Sequence, residues 1–166
     1  MLNFTKKTDY ALVALASLAE AAPDGPRPQS ARAISDRYGV PHSLLMNVLK
    51  DLVGGGIVKS TRGAKGGYTL ARAPRDITVL GVVTAIEGPV SLTACCDPQE
   101  ASPCAECSVE QSCPITHSVR RLNDQISRYL HEVTLEDLMN GTGEAIAPVS
   151  QVVPADTLRL VGKGEE

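Results

Sequence analysis

Apolar side chains between residues 5 and 21 fall at Leu12, Leu15, Ala16, Leu18 and Ala19, the spacing of an amphipathic helix, with Thr5 or Thr8 placed to cap its start. The stretch from Ala22 to Ser30 carries three prolines and a glycine and must be a loop. Ser30 then caps a short helix to Tyr38, with Ala33 and Ile34 turned inward, and Gly39 ends it. Pro41 opens a further helix whose apolar side is Leu45, Val48, Leu49 and Leu52 and whose stop is Gly54-Gly55-Gly56. His42, Ser43, Met46, Asn47 and Lys50 are left near its outer face. Two β-prone runs follow, 57–62 and 68–71, joined by the turn Gly63-Ala64-Lys65-Gly66-Gly67. A helix is predicted over 77–87, ending at Gly88-Pro89. The most regular pattern comes later: Ile115, Val119, Leu122, Ile126, Tyr129 and Val133 are spaced alternately by four and three, as in a coiled-coil seam. The remaining face of that helix, with Arg120, Arg121, Asn123, Asp124, Gln125 and Arg128, is polar. Thr134 caps a short helix, and beyond Asn140-Gly141 the periodicity lapses into a tail expected to be mobile.

A short helix, a tight turn and a second helix with a polar outer face form a helix-turn-helix, a weak signal by itself. The hairpin with a basic tip that follows strengthens it into a winged helix, whose helix enters the major groove while the wing touches backbone or minor groove. The candidate DNA contacts are His42, Ser43, Met46, Asn47 and Lys50 on the helix and Arg62, Lys65, Gly66, Gly67 and Tyr68 on the wing. The plainer alternative is a solvated surface hairpin. The expected fold is mainly α with a small β-hairpin wing: a winged helix-turn-helix over 1–88, a cysteine-rich loop over 89–114, a dimerisation helix and short terminal helix over 115–140, and a flexible tail over 141–166.

Charge supports this division. Residues 1–75 hold eleven Lys and Arg against five Asp and Glu, whereas residues 76–166 hold five against fourteen, so a net charge of -3 conceals a basic half and an acidic half. A basic half suits a polyanion, here double-stranded DNA. With one Phe and no Trp the core must be aliphatic, which favours helices over a β-sandwich. The N-terminus lacks the apolar core of a signal peptide and no run approaches the roughly 20 apolar residues of a membrane span, so a cytoplasmic protein without a membrane partner is expected.

All five cysteines lie between Cys95 and Cys113: Cys95 and Cys96 are adjacent, Cys104 and Cys107 form a C-x2-C pair, Cys113 follows, and His117 stands one helical turn further on. Thiolates gathered on a polar loop suit an iron–sulfur cluster or zinc, since each needs about four converging N or S donors. Disulfides would leave one thiol odd and need an oxidising compartment, and redox-active thiols without metal are the other alternative. The heptad stripe points to homodimerisation through residues 115–133, which suits a protein reading two half-sites. A lone stripe packing on its own chain is the competing possibility.

Thr8-Asp9-Tyr10-Ala11 in the first helix, Arg62-Gly-Ala-Lys-Gly-Gly-Tyr68 in the wing and the Cys107-x5-Cys113-Pro114 end of the loop together carry a likeness. Over residues 1–140 the chain resembles the bacterial winged-helix regulators that hold an iron–sulfur cluster, the family of the IscR, NsrR and SUF-operon regulators. The resemblance implies a cytoplasmic homodimer whose operator affinity changes when its cluster is gained, lost or damaged. It also implies three cysteine ligands and a fourth, variable one. Cys107 and Cys113 match the last two cysteines, and the first falls to Cys95, Cys96 or Cys104 because the spacing departs from the family's. For the fourth, Asp9 matches the carboxylate of the nitric-oxide sensor branch, His117 lies one residue beyond the histidine of the assembly-regulator branch, and a surplus cysteine is a further candidate. Met46 stands where the assembly regulator has a glutamate that tunes site choice, so its operator does not carry over.

The sequence thus predicts a transcriptional regulator, a repressor, set by a 2Fe–2S or 4Fe–4S cluster that senses iron, redox or nitric-oxide status. The alternative is a winged-helix protein with a structural zinc in the cysteine loop. With no nucleotide loop, nucleophile elbow or second histidine placed as a base, nothing supports an enzyme beyond the thiols themselves.

Overall fold

Thr5 accepts the N–H of Lys7 on its hydroxyl and so starts the first helix, α1 (Lys6–Glu20), in a computed structural model that describes residues 4–22, 25, 27–63, 66–93, 96 and 113–141. The loop after it leads to α2 (Ala31–Tyr38), capped by Ser30 on the N–H of Ala33 and stopped by Gly39 at φ 66°. That left-handed turn sets up α3 (His42–Gly54). The hairpin β1 (Val58–Thr61) and β2 (Gly67–Leu70) is antiparallel, with Val58 opposite Leu70 and Thr61 opposite Gly67. A 3-10 turn, Pro74–Asp76, leads to α4 (Val79–Glu87), capped by Thr78. Then come α5 (Thr116–Glu132) and α6 (Leu135–Met139), the latter closed by a reciprocal capping box between Thr134 and Asp137.

The core gathers Ala11, Ala14, Leu15 and Leu18 of α1, Ile34 of α2, Leu45, Val48, Leu49 and Leu52 of α3, Ile57 and Val58 at the hairpin's base, and Val82 of α4. The inward face expected for α3 is the one observed. On α1 it is rotated: Ala11 and Ala14 are buried, while Leu12, Ala16 and Ala19 are only half-buried, because small residues on the contact line let α3 approach. On α2 the inward partner of Ile34 is Ala31, one turn before it, and Ala33 is exposed. The helix expected over 77–87 begins at Val79, since Ile77 and Thr78 are extended and serve as cap and β-bridge.

The chain returns to this body at its far end. Val79 donates its N–H to the carbonyl of Val133 at 2.8 Å, Leu135 donates to Ile77 at 2.8 Å, and Leu135 joins the main core. A second small cluster joins α4 to α5: Val79, Val83 and Val133, with Phe4, Val90, Tyr129 and Leu130 against them. The heptad stripe therefore does not act as one seam. Its C-terminal members Tyr129 and Val133 are spent within the chain, whereas Ile115 and Leu122 are 59% and 49% exposed. Asn123, expected on the polar face, is instead buried, and its Oδ1 accepts the N–H of Leu92 at 3.0 Å. Val119, Asn123, Ile126 and Leu130 form an i, i+4, i+7, i+11 row, so the side of α5 that meets its own chain includes one polar residue. Beyond Gly141 the expected tail lies outside the described residues, and no helix among the described residues is long and apolar enough to cross a membrane.

Candidate nucleic-acid interface and cysteine loop

The apolar side of α3 is fully committed to the core, which leaves the opposite side to solvent. His42, Ser43, Met46, Asn47 and Lys50 are all exposed, as the sequence predicts. Leu44, 39% exposed, joins this surface and was missed because it reads as one more apolar helix position. The helix begins at Pro41 without a side-chain cap bond to its first N–H groups.

In the wing, Arg62 is exposed at the end of β1, and Lys59 on the same strand adds a second exposed cation that motif reading passed over. Lys65 lies outside the described residues. The turn closes by a hydrogen bond from Gly66 N to Gly63 O at 2.9 Å, and a Cβ on Gly66 would sit 2.2 Å from the carbonyl oxygen of Thr61, so only glycine fits. Tyr68 is half-buried, and its hydroxyl donates to the sulfur of Met46 at 3.9 Å, a weak bond that links wing to helix. Gln29, which sequence reasoning placed only in a loop, pairs as an antiparallel bridge with Tyr68. A single paired residue between a proline and a helix cap leaves no periodicity to detect.

The cysteine side begins where α4 ends. Glu87 accepts the hydroxyl and N–H of Thr5 and the hydroxyl of Thr8, the last at 2.7 Å. The Thr5 hydroxyl bond is the largest of the effects that hold the Glu87 carboxyl below its ordinary value; burial opposes it as the next largest, and Thr8, the Thr5 N–H and the nearby Lys7 charge add to the lowering. Gly88 at φ 90° then turns the chain, and the bond from Leu92 to Asn123 pins the loop's entry to α5. Cys96 is half-buried, its N–H bonded to the carbonyl of Thr93 at 2.9 Å and its sulfur accepting the Thr93 hydroxyl at 3.4 Å.

At the loop's exit Cys113 is half-exposed just ahead of α5. The side chain of Thr116 and then the N–H of Ile115 hold its thiol below the ordinary range, burial opposes them, and the N–H of Thr116 adds a lesser lowering, which favours the thiolate that binds metal. Asn123 lies seven residues into α5, about 10 Å from its start at 1.5 Å per residue, and the bond from the Cys96 N–H to Thr93 turns the chain within four residues of Leu92. The loop's two ends are thus within reach of each other, which fits a shared centre with thiolate ligands. His117 is exposed in the first turn of α5, and Asp9 is exposed in α1, one residue from Thr8 and its bond to Glu87. Cys95, Cys104 and Cys107 lie outside the described residues. Among the described residues no three His, Cys, Asp or Glu side chains gather about one point.

Comparison with known proteins agrees with this architecture. A curated relative, an rrf2-like HTH-type transcriptional regulator of Rhodobacter capsulatus, is 36% identical over 136 residues, covering 81% of this chain and 91% of its own. The HTH-type transcriptional regulator IscR of Yersinia enterocolitica is 34% identical over 140 residues, covering 84% and 80%. Among solved structures, CymR (YrzC), the global cysteine regulator of B. subtilis, superposes with a TM-score of 0.63 at 30% identity over 86% of this chain and 99% of its own. IscR of T. potens gives 0.61 at 30% over 87% and 90%. These relatives are regulators of transcription, not enzymes. The family model for Rrf2, described as an iron-dependent transcriptional regulator, matches residues 4–141, which takes in α1 through α6, and this chain accordingly belongs to the Rrf2 family of DNA-binding transcriptional regulators.

Proposed function

We propose that the chain is a cytoplasmic homodimeric repressor whose affinity for operator DNA is set by an iron–sulfur cluster in the loop over 89–114. The single observation that carries this reading is the pinned loop: its entry is bonded to α5 through Asn123, its exit is Cys113 at the start of α5, and all five cysteines fall between Cys95 and Cys113. The ligands are Cys107, Cys113 and one of Cys95, Cys96 or Cys104, with Asp9, His117 or a remaining cysteine as the fourth. A bound cluster, 2Fe–2S or 4Fe–4S, would supply a cross-link that iron supply, oxidants or nitric oxide can alter.

The chain's own residues do the rest. Residues 1–88 form the DNA-reading body, with His42, Ser43, Met46, Asn47 and Lys50 set to the major groove and Arg62, Lys65, Gly66, Gly67 and Tyr68 to the backbone or minor groove. Homodimerisation uses the helix within residues 115–133, where Ile115 and Leu122 stand exposed and unsuited to water. The experiment is purification without oxygen, absorption and Mössbauer spectra, and operator binding with and without the bound metal. A brown protein with iron–sulfur spectra and a cluster-dependent affinity is expected. A colourless zinc protein with unchanged affinity would replace the sensor by the zinc-brace alternative.

A further inference from the structure

Gln29 grips α1 with its side chain and the wing with its backbone. Its Nε2 donates to the carbonyl of Ser17 at 2.8 Å, and the hydroxyl of Ser17, itself buried, donates back to Oε1 at 3.2 Å. Its backbone N–H donates to the carbonyl of Tyr68 at 3.0 Å and its carbonyl accepts the N–H of Tyr68 at 2.8 Å. The pairing needs a residue without a side chain next door: a Cβ on Gly67, at φ 156°, would lie 2.6 Å from the carbonyl oxygen of Gln29. From Tyr68 the connection continues through its hydroxyl to the sulfur of Met46 on α3. α1, the wing and the helix that faces DNA are thereby joined in one chain of contacts.

A two-stranded ribbon is marginally stable by itself and twists readily. Tyr68 is paired with Ser60, two residues before Arg62, so the Gln29 bridge holds the ribbon about 7 Å from its basic tip at 3.3 Å per residue. We propose that Gln29 is a positioning residue for DNA binding: it fixes the wing relative to α3 so that the wing's cations and the groove-facing side chains of α3 engage one duplex together. Its amide suits this because it needs both a donor and an acceptor toward Ser17, which neither an apolar side chain nor a carboxylate offers. This inference rests on the proposed DNA-contacting roles of α3 and the wing.

The test is a double-substitution cycle on the full-length chain, read by DNA affinity across a salt series, with melting temperature as the control for folding. In the wild-type background Arg62→Ala should lower affinity and reduce the log–log salt slope by about one, the signature of one phosphate contact. Gln29→Ala alone should weaken binding by roughly three- to tenfold, the order of one lost phosphate contact. In the Gln29→Ala background Arg62→Ala should then cost nothing further. If Gln29→Ala fails to fold, Ser17→Ala, which removes only the returning hydroxyl, and Gln29→Glu, which removes the donor, carry the same cycle. An Arg62 effect of equal size in both backgrounds overturns the positioning role, because a merely structural Gln29 leaves the two sites additive. An Arg62→Ala that changes nothing in the wild-type background overturns the wing reading itself.

Discussion

Arg62 and Glu87 are the two side chains whose surroundings lead most directly to measurement. Arg62 is exposed at the end of β1, and the phosphate contact proposed for it and for Lys65 would carry no base information. Arg62→Ala or Lys65→Ala should weaken binding to all sequences alike and flatten its salt dependence, whereas substitutions at Ser43, Met46 or Asn47 should change preference among sequences. Competition titrations with specific and random duplexes separate the two. Glu87 makes a prediction about pH. Its folded value lies below the ordinary 4.5, so the ionised carboxylate favours the folded state. The contribution is complete above 4.5 and is lost as pH falls through the lowered folded value. Glu87→Ala strands the hydroxyl of Thr8, 1% exposed, and should cost about 1 kcal/mol at neutral pH, charge-assisted bonds being discounted for an exposed carboxylate. Urea melts of both proteins should converge in acid, and a difference that persists there would remove Glu87 from this role.

At the scale of the elements, α5 tests how far a periodic pattern can be trusted. Its stripe was legible as a helix and as an apolar row, since spacing of four and three allows little else. What the pattern could not separate was the partner of each position, because Tyr129 and Val133 pack on α4 of the same chain while Ile115 and Leu122 do not. Periodicity records which residues avoid water and not which chain covers them. Asn123 escaped for the same reason, a polar residue buried because one backbone N–H, that of Leu92, needed an acceptor. On α3 the reading of the core side held: four apolar residues at helical spacing define it, so the exposed set follows by subtraction except for Leu44, apolar and yet exposed. In the proposed dimer, charged residues at both Ile115 and Leu122, the stripe positions left exposed, would set like charges against each other near the twofold axis, and the outcome expected in light scattering or sedimentation is monomer. A soluble variant that still sediments as a dimer would move the interface elsewhere.

For the molecule as a whole, the order winged body, loop, α5 and back to the body decides how a change in the loop reaches DNA. α4 is tied at both ends: at its start Val79 bonds to Val133 at the end of α5, and at its end Glu87 bonds to Thr5 and Thr8 at the start of α1, directly before Gly88 turns into the loop. On the proposed reading the loop's thiolates repel one another when no metal neutralises them, and the entry bond from Leu92 to Asn123 is one hydrogen bond between the loop and α5 that opposes that repulsion. On that reading, strain released there would act at the end of α4 and so on the tilt of α1, which shares its core with α3. In the proposed dimer held by α5, that tilt would set the separation of two recognition helices, which must match half-sites about 34 Å apart. A shift of this kind needs only a local change biasing a two-state element. Cys107→Ala and Cys113→Ala should therefore abolish cluster binding and bring operator affinity to the value of the metal-free wild type. Cys95, Cys96 and Cys104 changed singly should divide into one essential and two dispensable positions. The measurement is operator binding beside iron and sulfide content for each variant. A Cys107→Ala protein that keeps its full complement of iron, or an affinity indifferent to metal at every promoter tested, would leave the loop as a brace and not a sensor.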